Sequence, residues 1–159
     1  MRHFVEGNPD GSVIALGGDG ERSLLLHRPD TGTTTRLDPP SPAYYYVCAA
    51  FSPDGSLLAA GDLAGPIRIW NVSSGRLVAT LSGHPEETST VVFSPDGRTL
   101  ASMGFHQDLK LWHTATWREL HSINLPEAAY HLAFTPGGSR LMATFGGSGN
   151  ERIGWFPPK

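Results

Sequence analysis

Seven histidines, at positions 3, 27, 84, 106, 113, 121 and 131, are the residues of this chain best suited to metal binding or proton transfer. Two imidazoles share a zinc ion most readily at HxxxH or HExxH spacing, and no pair here has it. His106 and His113, seven apart, fall near opposite ends of one expected strand. No metal and no cofactor are therefore expected. The chain also lacks a GxSxG elbow, a Walker loop and a CxxC pair, so no catalytic residue is assigned. Gly146-Gly147-Ser148-Gly149-Asn150 has the glycine content of a phosphate loop, but no lysine or helix start follows it, and it reads as a turn. Cys48 is the sole cysteine, which excludes an internal disulfide; within Val47-Cys48-Ala49-Ala50-Phe51 it reads as a small buried hydrophobe.

The elements that would position these residues are set by a repeat. Phe51-Ser52-Pro53-Asp54-Gly55 returns as Phe93-Ser94-Pro95-Asp96-Gly97 and as Phe134-Thr135-Pro136-Gly137-Gly138, with a fainter first copy at Asn8-Pro9-Asp10-Gly11. A second marker keeps the same period: Ile67-Arg68-Ile69-Trp70, Leu109-Lys110-Leu111-Trp112 and Arg152-Ile153-Gly154-Trp155, with Leu24-Leu25-Leu26-His27 in the first unit. Two markers in step over the whole chain define four units of 41–44 residues. Within the second unit, strands are expected at Tyr46 to Phe51, Ser56 to Gly61, Pro66 to Asn71 and Arg76 to Leu81, too short and too turn-bounded for helices. Asp10, Asp54 and Asp96 share one turn position, where aspartate stabilises the bend; this argues for turn-making rather than calcium binding.

Bulk composition agrees. Nineteen glycines and thirteen prolines beside 17% charged residues suit short strands and tight turns. A net charge of −3 gives no electrostatic reason to expect nucleic acid or an anionic membrane as partner. No segment approaches the roughly 18 apolar residues of a membrane helix, and the first residues do not lead into a signal-peptide core; a soluble cytoplasmic protein is expected.

Gly83-His84, the FSPDG turns, Leu100-Ala101-Ser102 and the tryptophans of the third strands resemble the WD40-repeat family over nearly all of the chain. The resemblance implies an all-β fold of propeller blades: four consecutive four-stranded antiparallel sheets within one partial propeller domain, 1–159, with blades at about 1–40, 41–82, 83–125 and 126–159. It also implies a hydrogen-bonded set in each blade, made of histidine, serine or threonine, aspartate and tryptophan. The third unit keeps His84, Ser102 and Trp112, and counting back six from the tryptophan puts His106 where the aspartate belongs. In the second unit Trp70 remains, but Ala60 and Ala64 stand at the serine and aspartate positions; the fourth keeps Trp155. Each lost polar partner removes about 0.5–1.5 kcal/mol, so these blades must lean on apolar packing.

The last unit is expected to end after its third strand, since Pro157-Pro158 cannot join a ladder. The resemblance then implies fifteen strands in an arc that is too short to close the usual ring. Each bare terminal sheet would expose on the order of 400 Å² of apolar surface, worth roughly 10 kcal/mol if covered. The chain then resembles a piece of a larger propeller or a half-propeller; a homodimer, a partner chain that completes the ring, or a small ring of four blades would each cover these sheets, the two-fold dimer being favoured. Family members dock partners on the face made by the d–a and b–c loops. Carried over by position, that face holds Tyr44, Tyr45, Glu87, Phe105, His106, Tyr130 and Phe145. A protein-interaction scaffold is the expected function. The alternative is a propeller hydrolase or lactonase, or a ligand sensor, built around the central channel. That would need polar groups on the inner strands, where Val47, Ala49, Val91, Val92, Leu132 and Ala133 stand instead.

Overall fold

The computed structural model describes residues 3–18, 21–37, 45–105, 107–127, 129–145 and 152–156, with the side chains of 21, 22, 152, 155 and 156 left aside. Fifteen strands and no helix occur among them. Strands β1 (His3–Gly7), β2 (Ile14–Gly18), β3 (Glu21–Arg28) and β4 (Thr33–Leu37) form the first antiparallel sheet. The second contains β5 (Tyr46–Phe51), β6 (Leu57–Asp62), β7 (Ile67–Asn71) and β8 (Leu77–Leu81). The third contains β9 (Thr88–Phe93), β10 (Thr99–Gly104), β11 (Asp108–His113) and β12 (Arg118–Asn124). The fourth has three strands, β13 (Ala129–Phe134), β14 (Leu141–Phe145) and β15 (Arg152–Phe156). Every sheet is a meander, so each strand pairs with its neighbour in sequence.

Side-chain burial shows why the middle strands carry apolar runs instead of alternating. β6 and β10 are buried on both faces because a sheet lies against each side. β1 and β13 are largely exposed on one face. Three apolar layers hold the sheets together. Leu24, Leu26 and Leu37 meet Leu58 and Trp70 between the first and second sheets. Ile67 and Ile69 meet Leu100 and Trp112 between the second and third. Met103, Leu109 and Leu111 meet Leu132, Leu141 and Phe145 between the third and fourth.

The repeated turn between the first two strands of each sheet performs two tasks. In the second sheet the Gly55 N–H bonds the Ser52 carbonyl at 2.8 Å, and Asp54 accepts from the Ser56 N–H at 3.0 Å and the Ser52 hydroxyl at 2.6 Å. The third sheet reproduces this with Gly97, Ser94, Asp96 and Arg98. These bonds hold the Asp10, Asp54 and Asp96 carboxyls below the usual carboxylate range, as turn-making requires. The glycines occupy left-handed backbone, with φ of 74°, 71°, 70° and 69° at Gly11, Gly55, Gly97 and Gly138. The second task is contact between sheets. A Cβ on Gly55, Gly97 or Gly138 would meet Pro9, Pro53 or Pro95 Cδ at 3.6, 3.7 and 3.5 Å, so each turn lies under the proline of the preceding one.

Candidate functional site

Two polar clusters lie inside this otherwise apolar stack, at matching places in the second and third sheets. In the third, His84 follows β8, Ser102 is central in β10, and Asp108 and Trp112 lie on β11. His84 Nδ1 is 2.5 Å from Asp108 Oδ2, and its Nε2 is 2.7 Å from Ser102 Oγ. The Trp112 indole N–H donates to the same Ser102 oxygen at 2.8 Å. Burial pushes the His84 pKa below the ordinary histidine value, with Asp108 pulling in the opposite direction. The neutral ring then donates from Nδ1 to Asp108 and accepts at Nε2 from the Ser102 hydroxyl, leaving the serine lone pairs to Trp112. Glycines make room for this: a Cβ at Gly83 would collide with the Trp112 ring, and one at Gly104 with Asp108 and His84.

The order Asp108, His84, Ser102 is that of a nucleophilic triad. Its surroundings are not. Ser102 is 0% exposed, and its oxygen is held between a ring nitrogen and an indole N–H. A nucleophile needs a substrate carbon about 3–3.5 Å away, and here no approach is open. The cluster instead ties the connection between two sheets to the centre of the third.

The second sheet solves the same problem differently. Ala60 stands where Ser102 does, and the Trp70 indole nitrogen, although buried, makes no hydrogen bond of acceptable geometry; the buried Tyr46 hydroxyl is in the same position. The sheet compensates with charge. Arg68 and Asp62, 4% and 1% exposed, form a buried ion pair, and Asp62 also accepts from the Ala64 N–H at 2.8 Å. The Arg68 guanidinium lies 5.8 Å from the centre of the Tyr46 ring. Burial pushes the Tyr46 phenol up to about 12, opposed by Arg68 and by the nearness of Trp70.

Neither Asp62–Arg68 nor Asp108 was legible from the spacing. Counting back from the tryptophan pointed to His106, which lies outside the described residues, whereas the carboxylate comes from Asp108, the first residue of β11. The count used six residues before the tryptophan, whereas His84 folds onto the first residue of β11, four before Trp112. A carboxylate six residues before an arginine, with both inside apolar runs, was the available signal for Asp62 and Arg68.

The d–a and b–c loops form a rim. Leu63 N–H donates to the Tyr45 carbonyl and Phe105 N–H to the Glu87 carbonyl, both at 2.9 Å, which locks the two loops of each sheet together in the same way. Leu63 and Phe105 thereby project at equivalent places, 46% and 59% exposed, beside a concavity of about 450 Å³ that Pro85, Glu86 and Glu87 complete. Tyr45 is half-buried. Tyr130, 56% exposed, is the extra residue of a β-bulge between Ala129 and His131. Phe145 is not on the rim. It closes β14 opposite Ala129 and Arg152, on the face turned to the third sheet, and is 7% exposed in that apolar layer. Tyr44 and the glycine-rich stretch 146–150 lie outside the described residues, and Trp155, paired with Met142, takes the register place of Leu111 rather than that of Trp112, one residue out of step with the expected alignment. No grouping of three metal-ligating side chains occurs among the described residues. Cys48 is half-buried between sheets, its thiol 3.2 Å from the Thr88 carbonyl and pushed up to about 12 by burial.

The family description "WD domain, G-beta repeat" matches residues 42–71 and 75–113. A stretch of 31 residues, 20% of this chain, is 68% identical to apoptotic protease-activating factor 1 of Rattus norvegicus, and 40 residues, 25% of the chain, are 55% identical to the Homo sapiens protein of that name. A further 35 residues, 22% of the chain, are 49% identical to an uncharacterized WD repeat-containing protein of Nostoc. These matches span 2%, 3% and 2% of the relatives' lengths. In structure, 90% of the chain matches a chain of the mitotic checkpoint complex with a TM-score of 0.80 at 19% identity. Similarly, 96% matches a chain of Kuenenia stuttgartiensis hydrazine synthase with a TM-score of 0.84 at 16% identity. This chain spans 45% of each of those two, and at such identity the likeness is one of fold. The second matched repeat starts just before β8 and ends with β11, so the sequence unit is staggered by one strand against the sheet, and His84 joins the two. Matched WD40 repeats and meander sheets thus interlock through the middle of the chain.

Proposed function

We propose that this chain is a non-catalytic protein-interaction scaffold whose rim of d–a and b–c loops receives a partner, and whose arc of sheets is completed to a ring by a second copy or by another chain. The observation that carries the reading is a pairing of opposites. The one triad-like constellation is sealed beneath the surface, while Leu63 and Phe105 project side by side from a concavity. Exposed apolar side chains at a rigid rim are the usual anchors of a protein interface. The sheets beneath supply the rigidity.

The test is a binding screen on a peptide array, followed by the Leu63→Ala/Phe105→Ala double variant. Affinity for any selected peptide is expected to fall at least 10-fold, with mass and circular dichroism unchanged. An esterase or lactonase activity abolished by Ser102→Ala in a folded protein would establish the enzymatic alternative instead.

A further inference from the structure

The three internal contacts between sheets are copies of one asymmetric contact. The face of the second sheet that seats the first contains Ala49, Leu58 and Ala60. By register and repeat, Val5, Ile14 and Leu16 occupy the same places in the first sheet, and there they face outward. Val5 is 67% exposed and borders a nearly all-carbon depression of about 190 Å³ that reaches Leu16 and Leu25. At the other end, the third sheet presents Ala101, Met103 and Leu109 to the fourth. Their equivalents Met142, Thr144 and Ile153 lie on the outward face of the fourth sheet, Ile153 being 59% exposed.

The turns carry the same signature. Gly55, Gly97 and Gly138 each lie beneath the proline of the preceding turn, whereas a Cβ on Gly11 would meet nothing within 4 Å. No further turn of this kind follows Pro136 among the described residues. One end of the arc therefore offers the socket and the other the plug of an interface already used three times within the chain.

From this we infer that a second copy of this chain is the occupant. The fourth sheet of each copy seats Ile153 in the depression beside Val5 of the other and places the Pro136 turn over Gly11. A heterologous contact of this kind forms a closed pair only if the arc spans close to half a turn. The chain covers 45% of each of the two solved chains compared above, so two copies supply about the length of one. The inference deepens the ring-completion part of the proposed function and is independent of the rim.

Light scattering coupled to size exclusion at micromolar concentration tests it with the full chain, Val5→Glu and Ile153→Glu. Both side chains are exposed in the single copy, so both variants should keep their β-sheet circular dichroism. Expected are a discrete particle of twice the chain mass for the unsubstituted protein and a dissociation constant at least 10-fold higher for each variant. An equimolar mixture of the two variants should regain part of the dimer, because one contact in the mixed pair is intact. A stable monomer, an open series of larger species, or sensitivity to only one substitution (a like-to-like pairing of faces) would each overturn the closed head-to-tail pair. Mass is read without a partner, so failure here is distinct from failure of the rim to bind.

Discussion

The second and third sheets share their strand plan, their FSPDG turn and the tryptophan of their third strand, yet fill the same interior place with different chemistry. The third uses neutral and charge-assisted hydrogen bonds, His84 bridging Asp108 and Ser102 with Trp112 closing the set. The second buries an arginine and an aspartate beside a tyrosine and gives the Trp70 nitrogen no hydrogen bond of good geometry, with Tyr46 as its polar neighbour. The difference teaches that the blade requires a polar tie between its loops and its centre but does not dictate the residue types. One change at the serine position, Ala60 against Ser102, removes the hydroxyl that accepts from the tryptophan and donates to the histidine. Once that is gone, a histidine there has no second partner, whereas the cation opposite this position is kept in both sheets, Arg68 with Asp62 and Lys110 with Glu119.

Breaking each tie should show how they differ. Asp62→Ala leaves Arg68 charged in an apolar layer and is expected to cost about 3–5 kcal/mol, read from urea unfolding. Pairing Arg68→Met with Asp62→Asn should recover most of that loss, because much of it is the penalty for an uncompensated charge. In the third sheet, Ser102→Ala strands the Trp112 N–H and His84 Nε2 and should cost about 1–3 kcal/mol. The reciprocal Ala60→Ser gives the Trp70 N–H an acceptor, with an expected gain of about 0.5–1.5 kcal/mol. If Ala60→Ser destabilises instead, the two interiors are packed too differently to exchange parts.

Acid separates the sheets as well. A histidine whose folded pKa lies below its unfolded value adds stability that is fully present above about 6.5 and is lost as pH falls through the folded pKa. The second unit contains no histidine, so this window belongs to the third. Urea midpoints measured between pH 7.5 and 5.5 should fall in the unsubstituted protein and fall less in His84→Leu. The lowered pKa values of Asp10, Asp54 and Asp96 act in a separate window: their contribution is present above about 3.8 and is lost only below it. The smallest expected effect concerns the b–c turns. The position held by Gly65 in the second sheet is Gln107 in the third, with φ of 102° and 68°. Gln107→Gly relieves left-handed strain and should raise stability by no more than about 1 kcal/mol by the same unfolding assay.

Much of the fold could be read from the residues. The FSPDG period located every first turn, and β5 spans Tyr46–Phe51, matching the expected strand. The Asp54 and Asp96 turns were legible because a turn is a local event: proline, aspartate and glycine within four residues contain the whole mechanism. Phe145 was misplaced for the opposite reason. A phenylalanine beside a glycine-rich loop looks like a rim residue, and only its pairing with Ala129 sets it on the inner face. Asp108 was overlooked because a count along the chain does not say onto which residue the distant His84 folds, and that is the first residue of β11.

What the chain determined by itself, then, is everything that depends on neighbours in sequence: four meander units, their turns, and the apolar runs that must be covered on both sides. What only the tertiary structure decided is how partners far apart in sequence meet: the tie from His84 to Asp108, the burial of Arg68 against Asp62, and the proline of one turn over the glycine of the next. The physical reason is that a strand pattern fixes which side chains share a face, whereas packing of one sheet on another fixes which of those faces meet.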